Sequence, residues 1–221
     1  MCSLTQLLIY LVAFLCVTVK CDGAGNISCM ERERQALLKF KQDLKDPAHR
    51  LSSWTGEDCC KWRGVRYNNR TGVVIRLDLR NPYRPEKLNS FAFYRELALF
   101  GEINPSLSAL KHLNYLDLSM NQFGQKQIPN FIGSFKKLKY FNLSNGGFVE
   151  AVPHQLGNLS SLSYLDLSSD ISNYLKVDNI EWLSHLSSLQ HLDMSGVNFT
   201  EVGGNWAQDQ FSRSFKYACH F

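Results

Sequence analysis

Apolar side chains return in one phrase along the second half of the chain. Leu110, Leu113, Leu116, Leu118, Asn121 and Phe123 spell L-x-x-L-x-x-L-x-L-x-x-N-x-F. The phrase recurs as Phe135, Leu138, Phe141, Leu143 and Phe148, then as Leu159, Leu162, Leu165 and Leu167. A fourth copy holds Leu186, Leu189, Leu192, Met194 and Phe199. From Leu118 through Leu143 and Leu167 to Met194 the steps are 25, 24 and 27 residues. A degenerate copy, Val74, Leu77 and Leu79, stands 39 residues before Leu118, one repeat plus an insertion over roughly Pro82 to Arg95. The x-L-x-L centre has period two, so it predicts a short strand with both leucines on one side. One such strand cannot bury its leucines, but stacked copies make a parallel sheet over a continuous ladder.

The polar positions complete each unit. The return carries Gly101-Glu102-Ile103-Asn104-Pro105, Ile128-Pro129 and Val152-Pro153. Proline ends local structure there, and the aliphatic residue before it packs inward. Glycine and proline in every return exclude a single long amphipathic helix. Ahead of the repeats, Glu31 to Leu44 reads as a helix with Ala36, Leu37, Phe40 and Leu44 on one face and acids in its first turn. Asp46-Pro47 closes it. A solenoid exposes its first rung to water unless a cap covers it. The helix, Trp54 and Trp62 supply that cap.

Composition narrows the function. The 221 residues are 44% hydrophobic and 20% charged, with a net charge of +4, which is ordinary globular usage. No Lys/Arg run accompanies the charge, so nucleic acid is not an expected partner. The histidines are scattered without H-E-x-x-H, and neither G-x-S-x-G nor a phosphate-binding glycine loop occurs. His191 beside Asp193 lacks a nucleophile and reads as a surface pair. No enzymatic activity and no cofactor are expected.

The N-terminus adds a compartment. Leu7 to Val19 is uncharged, too short to span a bilayer and right for a signal-peptide core, so residues 1–21 are expected to be removed on secretion. Asn-x-Ser/Thr occurs at Asn26, Asn69, Asn142, Asn158 and Asn198. Chance gives about 2 in a chain with this much Asn, Ser and Thr, so five fits a secreted glycoprotein. Seven cysteines without a C-x-x-C or a histidine pair then favour disulfides over a metal site.

Together these phrases resemble the extracellular start of plant leucine-rich repeat receptor-like proteins, and the group of receptors for a fungal xylanase elicitor in particular. The matching segments are ERERQALLKFKQDLKDP, LSSW, DCCKWRGV, TGVVIRLDLRNP, GEINPSLSALKHLNYLDLSMNQF and GNLSSLSYLDLS, across roughly residues 29–206. The resemblance implies a right-handed α/β solenoid of short parallel strands with a helical, disulfide-linked cap. It divides the chain into a signal peptide (1–21), a cap (22–72), about five repeats (73–204) and a non-repeat tail (205–221). It pairs Cys29 with Cys59, and places a second cap cysteine where Tyr67 stands, which orphans Cys60 unless Cys219 or another molecule pairs with it. After Trp206 neither the repeat nor a membrane helix continues, so the chain reads as a shortened form whose tail covers the last strand only irregularly. The expected location is the secretory pathway and the extracellular space, with the plasma membrane for full-length relatives.

The resemblance also implies a function, recognition of a pathogen- or self-derived protein, peptide or glycan in defence, through a membrane co-receptor kinase in full-length relatives. A soluble inhibitor like those of polygalacturonases is the alternative, although that group has about ten repeats and a C-terminal cysteine cap. A decayed, non-functional gene product is the other. The expected ligand face is formed by residues flanking the strand leucines. Tyr115, Tyr140, Tyr164 and His191 form one column, and Asp117, Asn142, Asp166 and Asp193 another. These columns barely vary, so they read chiefly as structural. Asn114, Lys139 and Gln190 on one margin and Met120 on the other vary more and suit selectivity.

Overall fold

The computed structural model describes residues 28–82, 96–123, 126–170 and 175–199, and the backbone of 219–220. The sequence-predicted signal peptide, Asn26 and most of the insertion lie outside these residues. Helix α1 spans Glu31–Gln42, with Glu31 and Glu33 in its first turn and Lys39 and Lys41 in its last. It ends before the expected Leu44 because Leu44–Lys45 forms strand β1. A short turn at Cys59–Lys61 precedes β2 (Val65–Tyr67) and β3 (Val74–Asp78). Strand β4 is Phe100–Gly101, and β1 pairs with it antiparallel, so tertiary pairing overrides the helical period at Leu44.

The repeats then follow in order. Strands β5 (Tyr115–Asp117), β6 (Tyr140–Asn142), β8 (Tyr164–Asp166) and β10 (His191–Asp193) carry the x-L-x-L centres. Strands β7 (Glu150–Ala151) and β9 (Leu175–Lys176) form a small parallel pair on the return side. One seven-stranded sheet runs β11-β10-β8-β6-β5-β3-β2. All its pairs are parallel except β2 with β3. Strand β11, Cys219–His220, continues the sheet beside Leu192 and Asp193. The tail therefore gives the last strand two residues of backbone pairing. Such a pair needs no side-chain pattern, which is why nothing in the tail announced it.

Each return contains a 3-10 turn, at Pro105–Ala109, Asn130–Ser134, His154–Asn158 and Glu181–His185. Their starts repeat the 25, 24 and 27 residue steps of the strands. Ile103, Ile128 and Val152, each shortly before a turn, are buried as their prolines implied. Gly133 sits where a turn meets the next one: a Cβ there would overlap the Gln155 carbonyl. The core is one cluster from Cys29 to Met194, with Leu116, Phe141, Leu165 and Leu192 forming the inner ladder. Leu189, in the last copy, is only partly buried.

The cap joins this ladder covalently and by hydrogen bonds. Cys29 and Cys59 form a disulfide. Trp54 and Trp62 stack with centroids 5.4 Å apart, and each indole N–H donates to a backbone carbonyl, of Arg63 and Thr55 respectively. Glu33, buried on α1, accepts the Val74 amide proton at 2.6 Å. Burial raises its pKa, and the Val74 amide opposes that shift. The Arg50 guanidinium donates to Leu79 O, Arg80 O, Leu97 O and Asn121 Oδ1. Asn121 itself donates to Leu79 O, Leu118 O and Ser119 O and accepts the Leu99 amide. One arginine and one asparagine thus tie cap, first repeat and insertion flank together.

Candidate functional site

The face of the sheet opposite the inner leucines is built from rows that cross the strands. Register places Arg66, Arg76, Tyr115, Tyr140, Tyr164 and His191 in one row. From Tyr115 onward the rings stack, with centroids 4.2, 4.3 and 4.2 Å apart and planes within 13° of parallel. Arg76 lies over Tyr115, 3.4 Å from its centroid, a cation–π contact. All four rings are half-buried, and the Tyr115 and Tyr140 hydroxyls reach the neighbouring row at Asp117. The ring spacing follows from parallel strands about 4.8 Å apart.

The next row is inward-tied. Asp117, Asn142, Asp166 and Asp193 each accept through Oδ1 from the amide and hydroxyl of the serine two residues later. Hydroxyl distances are 2.6–2.7 Å. Asp117 is fully buried and also accepts from the Tyr115 and Tyr140 hydroxyls. Burial raises its pKa, and the two Ser119 bonds oppose the rise. The Tyr115 and Tyr164 phenols are pushed above their ordinary value, first by burial and then by the carboxylates beside them. These phenols stay neutral hydrogen-bonding groups, suited to contact and unsuited to nucleophilic attack.

The margin positions differ in exposure. Lys139 and Gln190 are exposed and Asn114 is half-buried. A backbone ladder aligns them: Lys139 N–H donates to Asn114 O, Ser163 N–H to Lys139 O, and Gln190 N–H to Ser163 O. On the opposite margin Met120 has φ 58° and Asn145 φ 50°. The left-handed region suits asparagine and is unfavourable for methionine. Of the residues expected from the sequence to form the ligand face, Tyr115, Asp117, Tyr140, Tyr164, Asp166, His191 and Asp193 lie in the strands, and Asn114, Lys139, Gln190 and Met120 lie beyond the strand ends. The stacked row lies between the tied row and the margin of Asn114, Lys139 and Gln190, and Met120 and Asn145 lie beyond the tied row.

Three contributors were missed. Arg76 occupies the Tyr115 position in the degenerate copy, and aligning R-L-D-L with Y-L-D-L would have shown it. Arg66 enters through an antiparallel strand outside the repeat, for which no repeat signal exists. Arg50 acts through backbone carbonyls, which leave no pattern. Among the sequons, Asn69 and Asn158 are exposed and Asn198 is half-buried. Asn142 is buried, and its Nδ2 donates to the Tyr140 hydroxyl and Asp166 Oδ2, both at 3.3 Å. Cys60 is a free thiol. Burial and the hydrogen-bonded Asp58 push its pKa up to about 12. Among the described residues no cluster of His, Cys, Asp and Glu is arranged to hold a metal ion. No helix there is long and apolar enough to cross a membrane.

A repeated strand and turn over one leucine ladder, closed by a disulfide-linked helical cap, make this chain a leucine-rich repeat protein. Residues 30–66 match the Leucine rich repeat N-terminal domain and residues 112–135 the Leucine Rich Repeat. The sequence is similar to Receptor-like protein EIX1 of Solanum lycopersicum, 44% identical over 191 residues. That match covers 85% of this chain and 18% of the relative, so the chain spans under a fifth of that length. Among solved structures, the BIR2 ectodomain from Arabidopsis thaliana is similar with a TM-score of 0.60 and 26% identity, over 77% of this chain and 81% of that one. A PEPR1–AtPEP1 structure is similar with TM-score 0.60 and 26% identity, over 76% of this chain and 22% of that one.

Proposed function

We propose that this chain is the N-terminal recognition segment of an extracellular receptor-like protein, and that it contacts a protein or peptide ligand across the face lined by Tyr115, Tyr140, Tyr164 and His191. The observation that carries the reading is that continuous stack of half-buried rings, flanked by the exposed Lys139 and Gln190. Aromatic residues enter contacts at low conformational cost and keep a polar tip for hydrogen bonding. The similarity to receptor-like proteins and to a PEPR1–AtPEP1 structure supports the reading. The reading extends to a defence role with signalling through a co-receptor kinase, as the resemblance in sequence implies. Five repeat strands at about 4.8 Å spacing span only about 20 Å, less than a standard interface needs, so the segment supplies one part of a longer contact.

The test uses a fungal xylanase as the probe, in a direct binding measurement on the secreted chain. Weak, micromolar-range binding is expected. Lys139→Glu with Gln190→Glu should weaken it tenfold or more, and Lys111→Glu with Lys136→Glu on the return side should leave it unchanged. No binding, or equal loss from both pairs, overturns the proposal.

A further inference from the structure

Two of the stacked rings share more than their faces. Tyr115 and Tyr140 are register partners on β5 and β6, with centroids 4.2 Å apart and planes 4° from parallel. Their hydroxyls converge on one acceptor: Asp117 Oδ2 accepts from Tyr115 at 3.3 Å and from Tyr140 at 3.5 Å. That carboxylate is fully buried, and Ser119 holds its other oxygen through an amide and a hydroxyl. Parallel planes with converging hydroxyls bring the ring carbons beside those hydroxyls close together across the stack. Arg76 lies over Tyr115, 3.4 Å from its centroid, so the phenol stacked on Tyr115 is that of Tyr140. The next pair differs. Tyr140 and Tyr164 are 4.3 Å apart with planes at 13°, and Asn142 stands in the place of Asp117. Its Nδ2 donates to the Tyr140 hydroxyl, and an amide takes no proton from a phenol. The third pair ends at His191, which has no phenol. Within the stack, the first pair alone combines two phenols with a shared carboxylate.

We infer that Tyr115 and Tyr140 form an oxidative coupling site, at which a haem peroxidase consuming hydrogen peroxide joins the two rings as dityrosine. The peroxidase removes one electron from each phenol. Burial keeps the Tyr115 phenol protonated, so its proton leaves with the electron, and Asp117 Oδ2 is placed to accept it and pass it to water. The unpaired electron of a tyrosyl radical spreads onto the ring carbons beside the oxygen. Two such carbons form one C–C bond, and the hydrogen on each then moves as a proton to its own oxygen, which restores both phenols. The pair loses two hydrogens in all, and hydrogen peroxide takes up the two electrons and two protons to become two waters. Holding the reacting carbons side by side makes the coupling a step within one molecule. Both rings are half-buried, close enough to the surface for electron transfer to a docked oxidant. The product ties two neighbouring repeats covalently on the face of the tyrosine row, constraining the unfolded chain as a disulfide does. This inference goes beyond the proposed function and needs no ligand, so the two fail separately.

The experiment treats the full secreted chain, dilute enough to remain monomeric, with a haem peroxidase and hydrogen peroxide. The monomer is recovered by size-exclusion chromatography. Its dityrosine is read by fluorescence, and the bridge is located by tandem mass spectrometry of the proteolytic peptides. The monomer should contain dityrosine, mapped to Tyr115 and Tyr140 as a joined species two hydrogens lighter than its parts. Tyr115→Phe and Tyr140→Phe keep a stacked ring and remove one phenol. Each should lower the monomer's dityrosine at least fivefold, with near-UV circular dichroism confirming the fold. Tyr164→Phe should leave the yield within twofold of the parent chain. Four results overturn the inference: no dityrosine in the monomer, a principal bridge mapped to any other pair, a yield that survives either Tyr115→Phe or Tyr140→Phe, or its loss in Tyr164→Phe.

Discussion

Asn142 shows how one side chain can carry two incompatible readings. By sequence it is a glycan acceptor; by position it is a rung of the tied row, with Oδ1 held by Ser144 and Nδ2 by Tyr140 and Asp166. A glycan on Nδ2 would break that rung in the interior of the sheet. Site mapping of the secreted protein should find Asn69 and Asn158 modified and Asn142 bare. A glycan on Asn142 in well-folded protein would contradict the geometry. Cys60 makes a second case. As the cysteine left without a partner it invites the expectation of a reactive thiol, yet burial and Asp58 raise its pKa from 9.0 to about 12. The thiolate is the nucleophile, so at pH 8 iodoacetamide should label native Cys60 about a hundredfold more slowly than the unfolded chain. The folded pKa lies above the unfolded one, so the thiol's contribution to stability is whole below pH 9 and is lost as pH climbs toward 12. Equal labelling rates would show that the thiol is open to water and away from Asp58.

Among elements, the repeats were legible and their joints were not. The x-L-x-L strands and the cap helix follow from periods of two and 3.6 residues, because burial of one side imposes them, and the prolines mark where the turn of three returns begins rather than where local structure ends. Helix α1 stops earlier than its pattern because Leu44 finds a backbone partner at Gly101, a contact between segments far apart in sequence. Asn121 stood in the repeat phrase, but Arg50 left no pattern: three of its four bonds go to main chain, which is identical at every residue. Their weight is testable. Arg50→Ala removes four charge-assisted bonds across the joint between cap and repeats. Bonds from charged groups contribute about 1.5–3 kcal/mol each when counted singly, and less in a shared network. Thermal or denaturant unfolding should show a loss of about 2–4 kcal/mol for Arg50→Ala. A change under about 0.5 kcal/mol, typical of a free surface residue, would show that the cap docks without it.

At the scale of the molecule, the two sides of the sheet hold distinct rows. The leucine ladder and the aspartate–serine row hold the strands in register. The stacked rings lie beside the aspartate row on the face away from the leucines, with Asn114, Lys139, Gln190 and Met120 beyond the strand ends. The sequence showed the columns, because repetition is visible in it. It did not show which column turns inward, because alternation alone cannot tell a tied aspartate from a free one. The claim on which the proposed function turns is the separation of structural and recognition rows across the face of Tyr115, Tyr140, Tyr164 and His191.

A single paired comparison tests that claim most directly: unfolding free energy and xylanase binding measured side by side for Asp166→Ala and Lys139→Glu. Asp166→Ala strips acceptors from the Ser168 amide and hydroxyl and from Asn142 Nδ2. It should cost about 1–3 kcal/mol of stability, as buried groups left unsatisfied do. Its binding should follow only the fraction that remains folded. Lys139→Glu, on an exposed margin, should hold stability within about 0.5 kcal/mol and lose binding. If Asp166→Ala leaves stability intact, or if Lys139→Glu unfolds the protein and spares binding, the division of the face into structural and recognition rows is wrong.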